Sequence, residues 1–316
     1  MLVPTGPGKV NDMAKVSEVS DGIYLIDMGE VKGAGSKERL NCSLVYFMVD
    51  GEQTALIETS PGAVVPIVLE AIKGLGHDPA RLSSVILTHI HLDHAGGVGR
   101  LAQQFPQLKV IVHERGARHL TAPAMLITGT KQAYSEEFEA DYGPIIAVPE
   151  EQVEAVKDGD TIRLGDRELK VIYTPGHAPH HMSIYDTRSQ GLFSGDSLGH
   201  LTLGSNPIVI VAGFDLGLAL ESIDKMSDLD PRRVYASHGS SDREAAEFIR
   251  SVRATTSDYG EIILTAMKAG EDEAQMIQRL EAYNKEHDPD DKRDTRHRFK
   301  AIIPWYVAYF KKKQAV

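Results

Sequence analysis

Residues 87–97 read LTHIHLDHAGG, with three histidines and an aspartate inside six positions, directly after the apolar run Val85-Ile86-Leu87. In an extended segment side chains alternate between faces, so His89 and His91 project to one side and can hold one ion together. Asp93 and His94 follow where Ala95-Gly96-Gly97 breaks the strand. Glycine permits the close turn, and this pair can face a second ion nearby. Four donors do not fill two coordination spheres, so the reading demands His or Asp from other strand ends. The sequence supplies His177 closing LKVIYTPGH, Asp196 closing LFSGD and His238 closing RRVYASHG. Imidazole nitrogens suit zinc, iron, cobalt or manganese, and a carboxylate such as Asp196 can bridge two divalent ions. TPGH or SHG alone carries little weight, because an isolated histidine is ordinarily a surface or hydrogen-bonded residue. The seven donors in order on strand ends carry the reading together.

The elements that must position these residues are legible as alternating patterns. From about residue 16 the runs GIYLIDM and SLVYFMVDGEQTALIET predict antiparallel strands, the second pair joined at Asp50-Gly51. GAVVPIVLEAIKG has the apolar spacing of a helix, SSVILTH reads as a buried strand, VGRLAQQFP as a helix stopped by Pro106, and LKVIVHE as another strand. Residues 114–156 lack strand alternation and are expected to form short helices and loops, a lid-like insertion. Strands return in TIRLGDRELKVIYTPGH, with a hairpin at Gly165-Asp166, then in SIYDTRSQGLFSGD and, after a helix near 215–228, in RRVYASHG. Two βα halves with helices outside predict an α/β layered fold. Residues 1–240 are expected to form this domain and residues 241–316 a C-terminal helical extension. Its last segment carries Trp305, Tyr306, Tyr309 and Phe310 and is read as a cover for the pocket mouth, as a dimer contact, or as ordinary packing.

HIHLDH followed by TPGH, FSGD and SHG resembles the metallo-β-lactamase superfamily, in its HxHxDH dinuclear branch of glyoxalase II-like and lactonase-like hydrolases. The resemblance covers about residues 16–240 and implies an αββα sandwich with metals at one edge of the sheets. It implies that His89, His91 and His177 hold a first metal, that Asp93, His94 and His238 hold a second, and that Asp196 bridges. Zinc is the first choice, with iron or manganese as alternatives. In relatives the segment after TPGH reads T-x-G-H. His181 matches its last position, whereas Ala178 and His180 replace the threonine and glycine. His181 is therefore expected to orient ligands, and His180 to face substrate or serve structure. A metal-bridging hydroxide would attack an ester-like bond, in a thioester, lactone or phosphoester, with Asp93 orienting the nucleophile and shuttling its proton. Glu58 departs from the aspartate that many relatives carry at that strand end.

Several classes are disfavoured. The segment after Asp196, SLGHLTLGSNPIVIV, lacks the basic residue with which glyoxalase II-like enzymes hold a glutathione carboxylate, and Gly199 stands where quorum-sensing lactonases place a tyrosine. Class B β-lactamases lack the bridging aspartate. The alternative from a different class is an iron protein of the same fold, an oxygen-handling protein or a persulfide dioxygenase. A formal net charge of -11 argues against a general grip on nucleic acid, so a small-molecule substrate is expected. A single cysteine, Cys42, excludes an internal disulfide. With no signal peptide pattern and no membrane-spanning stretch, a cytoplasmic location is expected.

Overall fold

The structure is a computed structural model that describes residues 9–10, 14–36, 38–135, 137–199, 213–239, 243–287 and 295–314. Of the segment 197–211 read above for a basic anchor, residues 200–211 lie outside the described residues, as do 288–294. The first sheet begins with β1 (Lys9–Val10), β2 (Ala14–Ser20), β3 (Ile23–Asp27), β4 (Val45–Asp50) and β5 (Gln53–Ile57), each antiparallel to the one before. Asp50 pairs with Gln53 around Gly51, whose φ of 59° is one that glycine adopts freely.

After β5 the pairing becomes parallel. Helix α1 (Val65–Gly74) leads into β6 (Ser84–Ile86), and α2 (Leu92–Ala95) and α3 (Val98–Gln104) lead into β7 (Lys109–His113). In α1 the buried side chains include Val65, Val68, Leu69 and Ile72, the spacing of one helical face, and they join the core under the sheet. The insertion contains α4 (Glu114–Thr121), α5 (Ala124–Ala133) and α6 (Phe138–Tyr142), then β8 (Val153–Val156), which pairs in parallel with β7 at the end of the eight-stranded order β1 to β8. The strand β8 is a correction to the reading of 114–156 as helices and loops. As an edge strand it exposes Glu154 and Ala155 in succession, so the alternation that marks a strand is missing.

The second sheet contains β9 (Thr161–Leu164), β10 (Arg167–Tyr173), β11 (Met182–Asp186), β12 (Gly191–Gly195) and, after α7 (Leu216–Asp228), β13 (Arg233–Ala236). Two sheets and their helices thus follow the chain order expected of the αββα class, and a helical region ends the chain as α8 (Ala245–Lys268), α9 (Glu273–His287) and α10 (Arg296–Lys312). By its internal contacts the chain divides into two compact units, residues 1–172 with 184–189, and residues 173–183 with 190–316.

In the first unit the β9–β10 hairpin is fastened by Asp50, whose Oδ2 accepts from Asp166 N at 2.7 Å and whose carboxylate receives Arg188 at 2.6 and 3.1 Å. Gly165 makes that approach possible, since a Cβ there would sit 2.7 Å from Asp50 Oδ2. Arg167 is fully buried and donates to Asp186 at 2.5 Å and to Asp21 O at 2.6 Å. In the second unit the three C-terminal helices share one apolar core with α7, built around Tyr259, Phe299 and Tyr306.

Candidate metal centre

In the first unit the turn after β5 is shaped to hold the histidine motif. Glu58 and Ser60 both take positive φ, 67° and 61°, which non-glycine residues adopt only when surroundings compel it. The result is a clamp on α2: Thr59 N, Ser60 N and Thr59 Oγ1 all donate to His94 O, at 2.8, 3.0 and 2.9 Å. Gly97 N donates back to Ser60 O at 2.9 Å, which closes the turn on the motif.

This backbone turns the Glu58 carboxylate inward, where it is wholly buried. It accepts a short hydrogen bond from Thr88 Oγ1, and its Oε1 lies 3.2 Å from His94 Nδ1. Glu58, His89 and His94 offer ligand atoms that all lie within 4.8 Å of one another. His91, half-buried, brings Nδ1 to 2.9 Å from His89 Nε2, so the two rings share one space, as their alternation in the sequence requires. Asp93 is held from outside the motif: Asn41 Nδ2 donates to its Oδ2 at 2.6 Å, and Ser43 N to its carbonyl at 3.1 Å. Burying imidazoles and carboxylates together is costly unless they are bonded or neutralised, and this donor set suits a divalent cation. Burial pushes the neighbouring Cys42 thiol up to about 11, against a Ser60 hydrogen bond and with the Asp93 charge adding to the rise, so Cys42 stands beside the motif as a thiol.

The residues that alternate with the ligands serve packing. Ile90 and Leu92 line a small apolar cleft with Leu120, Leu126 and Ile146, so helices α4 and α5 pack against the apolar residues of the motif. The insertion is therefore at least in part a support.

In the second unit His177 leaves β10 through a turn that only glycine tolerates. Gly176 has φ 131°, and a Cβ there would meet the Ala219 backbone of α7 at 2.5 Å. Asp196 follows β12, and each of its oxygens faces an imidazole: His177 Nε2 is 3.5 Å from Oδ2 and His238 Nε2 is 3.6 Å from Oδ1. His181, fully buried, accepts from Asp196 N through Nε2 at 3.0 Å, while its Nδ1 lies 2.9 Å from both Thr174 Oγ1 and Ser197 Oγ. An Nε2 that accepts must be unprotonated, so His181 is a neutral positioning residue with both nitrogens engaged. His180 is half-buried in the same turn.

The seven expected ligands thus fall into two sets, His89, His91, Asp93 and His94 in one unit and His177, Asp196 and His238 in the other. Asn41, Thr88, Thr174 and Ser197 had no place in the motif reading, because each acts through a hydrogen bond formed by the fold. For Glu58 there was a signal, its position at a strand end before the motif.

A family model described as the metallo-beta-lactamase superfamily matches residues 41–238. The chain is 27% identical over 231 residues, 73% of its length, to an atrochrysone carboxyl ACP thioesterase of Aspergillus fumigatus. It is 30% identical over 166 residues, 50% of its length, to a metallo-beta-lactamase fold-containing protein of Sulfurisphaera tokodaii. These matches span 60% and 61% of the relatives' own lengths. Among solved structures, a metallo-beta-lactamase family protein from Thermus thermophilus superposes with a TM-score of 0.66 at 21% identity, covering 94% of this chain and 95% of the other, and this likeness extends the shared fold through the helical region. The match over residues 41–238 takes in every one of the seven expected ligands, and the chain belongs to the metallo-beta-lactamase superfamily.

Proposed function

We propose that the protein is a dinuclear metal-dependent hydrolase of ester-like bonds. The observation that carries this reading is Asp196, a buried carboxylate with one imidazole at each oxygen, which suits a bridge between two cations. By the family resemblance His89, His91 and His177 would hold one ion and Asp93, His94 and His238 the other, with zinc as the first metal to test. Divalent ions supply an acidified water and a Lewis acid for the substrate's oxygen.

The chain's own residues do the rest. Asp93, fixed by the Asn41 amide, orients the attacking water, takes its proton and returns it to the leaving group. Glu58, whose Oε1 lies 3.2 Å from His94 Nδ1, fixes that ring and leaves Nε2 as the nitrogen that would hold a metal. His181 holds the backbone of Asp196, so the bridging carboxylate is positioned through its own main chain. The expected partner is a small molecule, and the Aspergillus relative's name supports an acyl thioester as the first substrate to test. Among the described residues no helix is long and apolar enough to cross a membrane.

The test joins metal analysis of the purified protein to a panel of thioesters, lactones and phosphodiesters. Zinc at two per chain with turnover of one class supports the reading. Asp196→Asn and His177→Ala that leave metal content and turnover intact overturn it, and iron with oxygen or persulfide consumption replaces it.

A further inference from the structure

Helix α6 is five residues long and is held in place by contacts from outside the helix. Phe138 is buried at its start. The Asp141 carboxylate accepts backbone N–H bonds from Gly35 at 2.7 Å and Ser36 at 3.0 Å. Gly143 ends the helix at φ 82°, so close to the segment after β5 that a Cβ would lie 3.1 Å from Ala63 N. All of these anchors lie in the first unit, and together they fix one side chain, Tyr142.

The Tyr142 hydroxyl accepts a hydrogen bond from Asn41 N at 3.4 Å, and the same Asn41 donates its side-chain amide to Asp93. One residue therefore sets both the phenol and the carboxylate, and the two lie at opposite ends of Asn41. The ring rests edge-on against Tyr134, with centroids 4.9 Å apart, which fixes its orientation without using the hydroxyl. Burial pushes the phenol up, against the Asn41 N–H bond, and the nearby Asp93 charge adds to the rise, so the group keeps its proton. The oxygen receives a hydrogen bond, whereas no described residue accepts the hydroxyl proton. A held, protonated, half-buried phenol with an unused donor beside the general base is a ready partner for a substrate oxygen.

We propose that Tyr142 is a catalytic hydrogen-bond donor, whose hydroxyl binds the carbonyl oxygen of an ester or thioester and stabilises the negative charge that develops there. This rests on the hydrolase reading. When the water oxygen bonds to the carbonyl carbon, the π pair moves onto the carbonyl oxygen, and Tyr142 O–H donates to it without transferring its proton. The pair then returns, the carbon–sulfur or carbon–oxygen bond breaks with its electrons on the leaving group, and Asp93 supplies the proton.

Tyr142→Phe keeps the ring contact and removes only the donor. In the zinc-loaded full chain it is expected to lower kcat on a short-chain acyl thioester on the order of a hundredfold. Zinc content and thermal unfolding should not change. A readout separate from turnover is calorimetric binding of an alkylboronic acid, which presents a tetrahedral anionic oxygen and should bind at least about tenfold more weakly to the variant, the cost of one lost hydrogen bond. Turnover and boronate affinity equal to the parent's would overturn the role of Tyr142 alone, as would loss of zinc from the variant. A zinc-loaded parent that hydrolyses nothing on the panel would overturn the hydrolase reading and this proposal together.

Discussion

At the scale of single residues, the donors were legible because their chemistry is local. His89 and His91 two apart, and Asp93 and His94 at a glycine break, state their geometry in the sequence. The residues that hold them do not. Glu58 lies thirty positions before Thr88 and reaches it only because β5 and β6 are paired, and Asn41 is fifty-two positions from the carboxylate it orients. A prediction at this scale concerns Glu58. Replacing it with alanine leaves His94 Nδ1 without its carboxylate, and zinc affinity should fall about 10–100-fold. Competition titration against a chromophoric chelator measures this, and unchanged affinity would reduce Glu58 to a packing residue.

The elements carry a different lesson. Helix α8 was readable from its apolar stripe, with buried residues such as Phe248, Ile249, Val252, Tyr259 and Ile263 at helical spacing. Strand β8 was not, because a strand at a sheet edge buries too little to leave a pattern. Two contacts between elements in the second unit can be tested. Gly176→Ala must place a methyl on the α7 backbone in a left-handed conformation, and should cost roughly 2–5 kcal/mol from overpacking and strain. Tyr306 of α10 is wholly buried and donates to Thr256 O of α8 at 2.9 Å, so Tyr306→Ala should cost about 3–5 kcal/mol. Urea unfolding checks both. Such burial also favours ordinary packing for this aromatic of the tail, whose removal would expose the core of α8 and α9.

For the whole molecule, a net charge of -11 makes the response to acid a matter of which carboxylates are held ionised by partners. Asp50 is one, because hydrogen bonds from Arg188 hold its carboxyl below the usual carboxylate range. A carboxyl with a depressed folded-state value contributes stability above its unfolded value of ~3.9, and loses it as pH falls through the lower folded value. Asp50→Asn should therefore destabilise the protein at pH 7, and the gap should close in strong acid. Thermal unfolding across pH measures it, and a constant gap would assign the effect to the Asp166 N–H bond instead.

Asn41 has one further consequence. Its bond to Asp93 runs through the side chain and its bond to Tyr142 through the main chain, so the two connections are separable by mutation. Asn41→Ala cuts the first and spares the second. A double-mutant cycle with Tyr142→Phe should then show a coupling energy at the low end of the range for residues in contact, about 0.5 kcal/mol in kcat. Strong coupling would mean that base and phenol move as one body, governed by a side-chain amide rather than by the backbone.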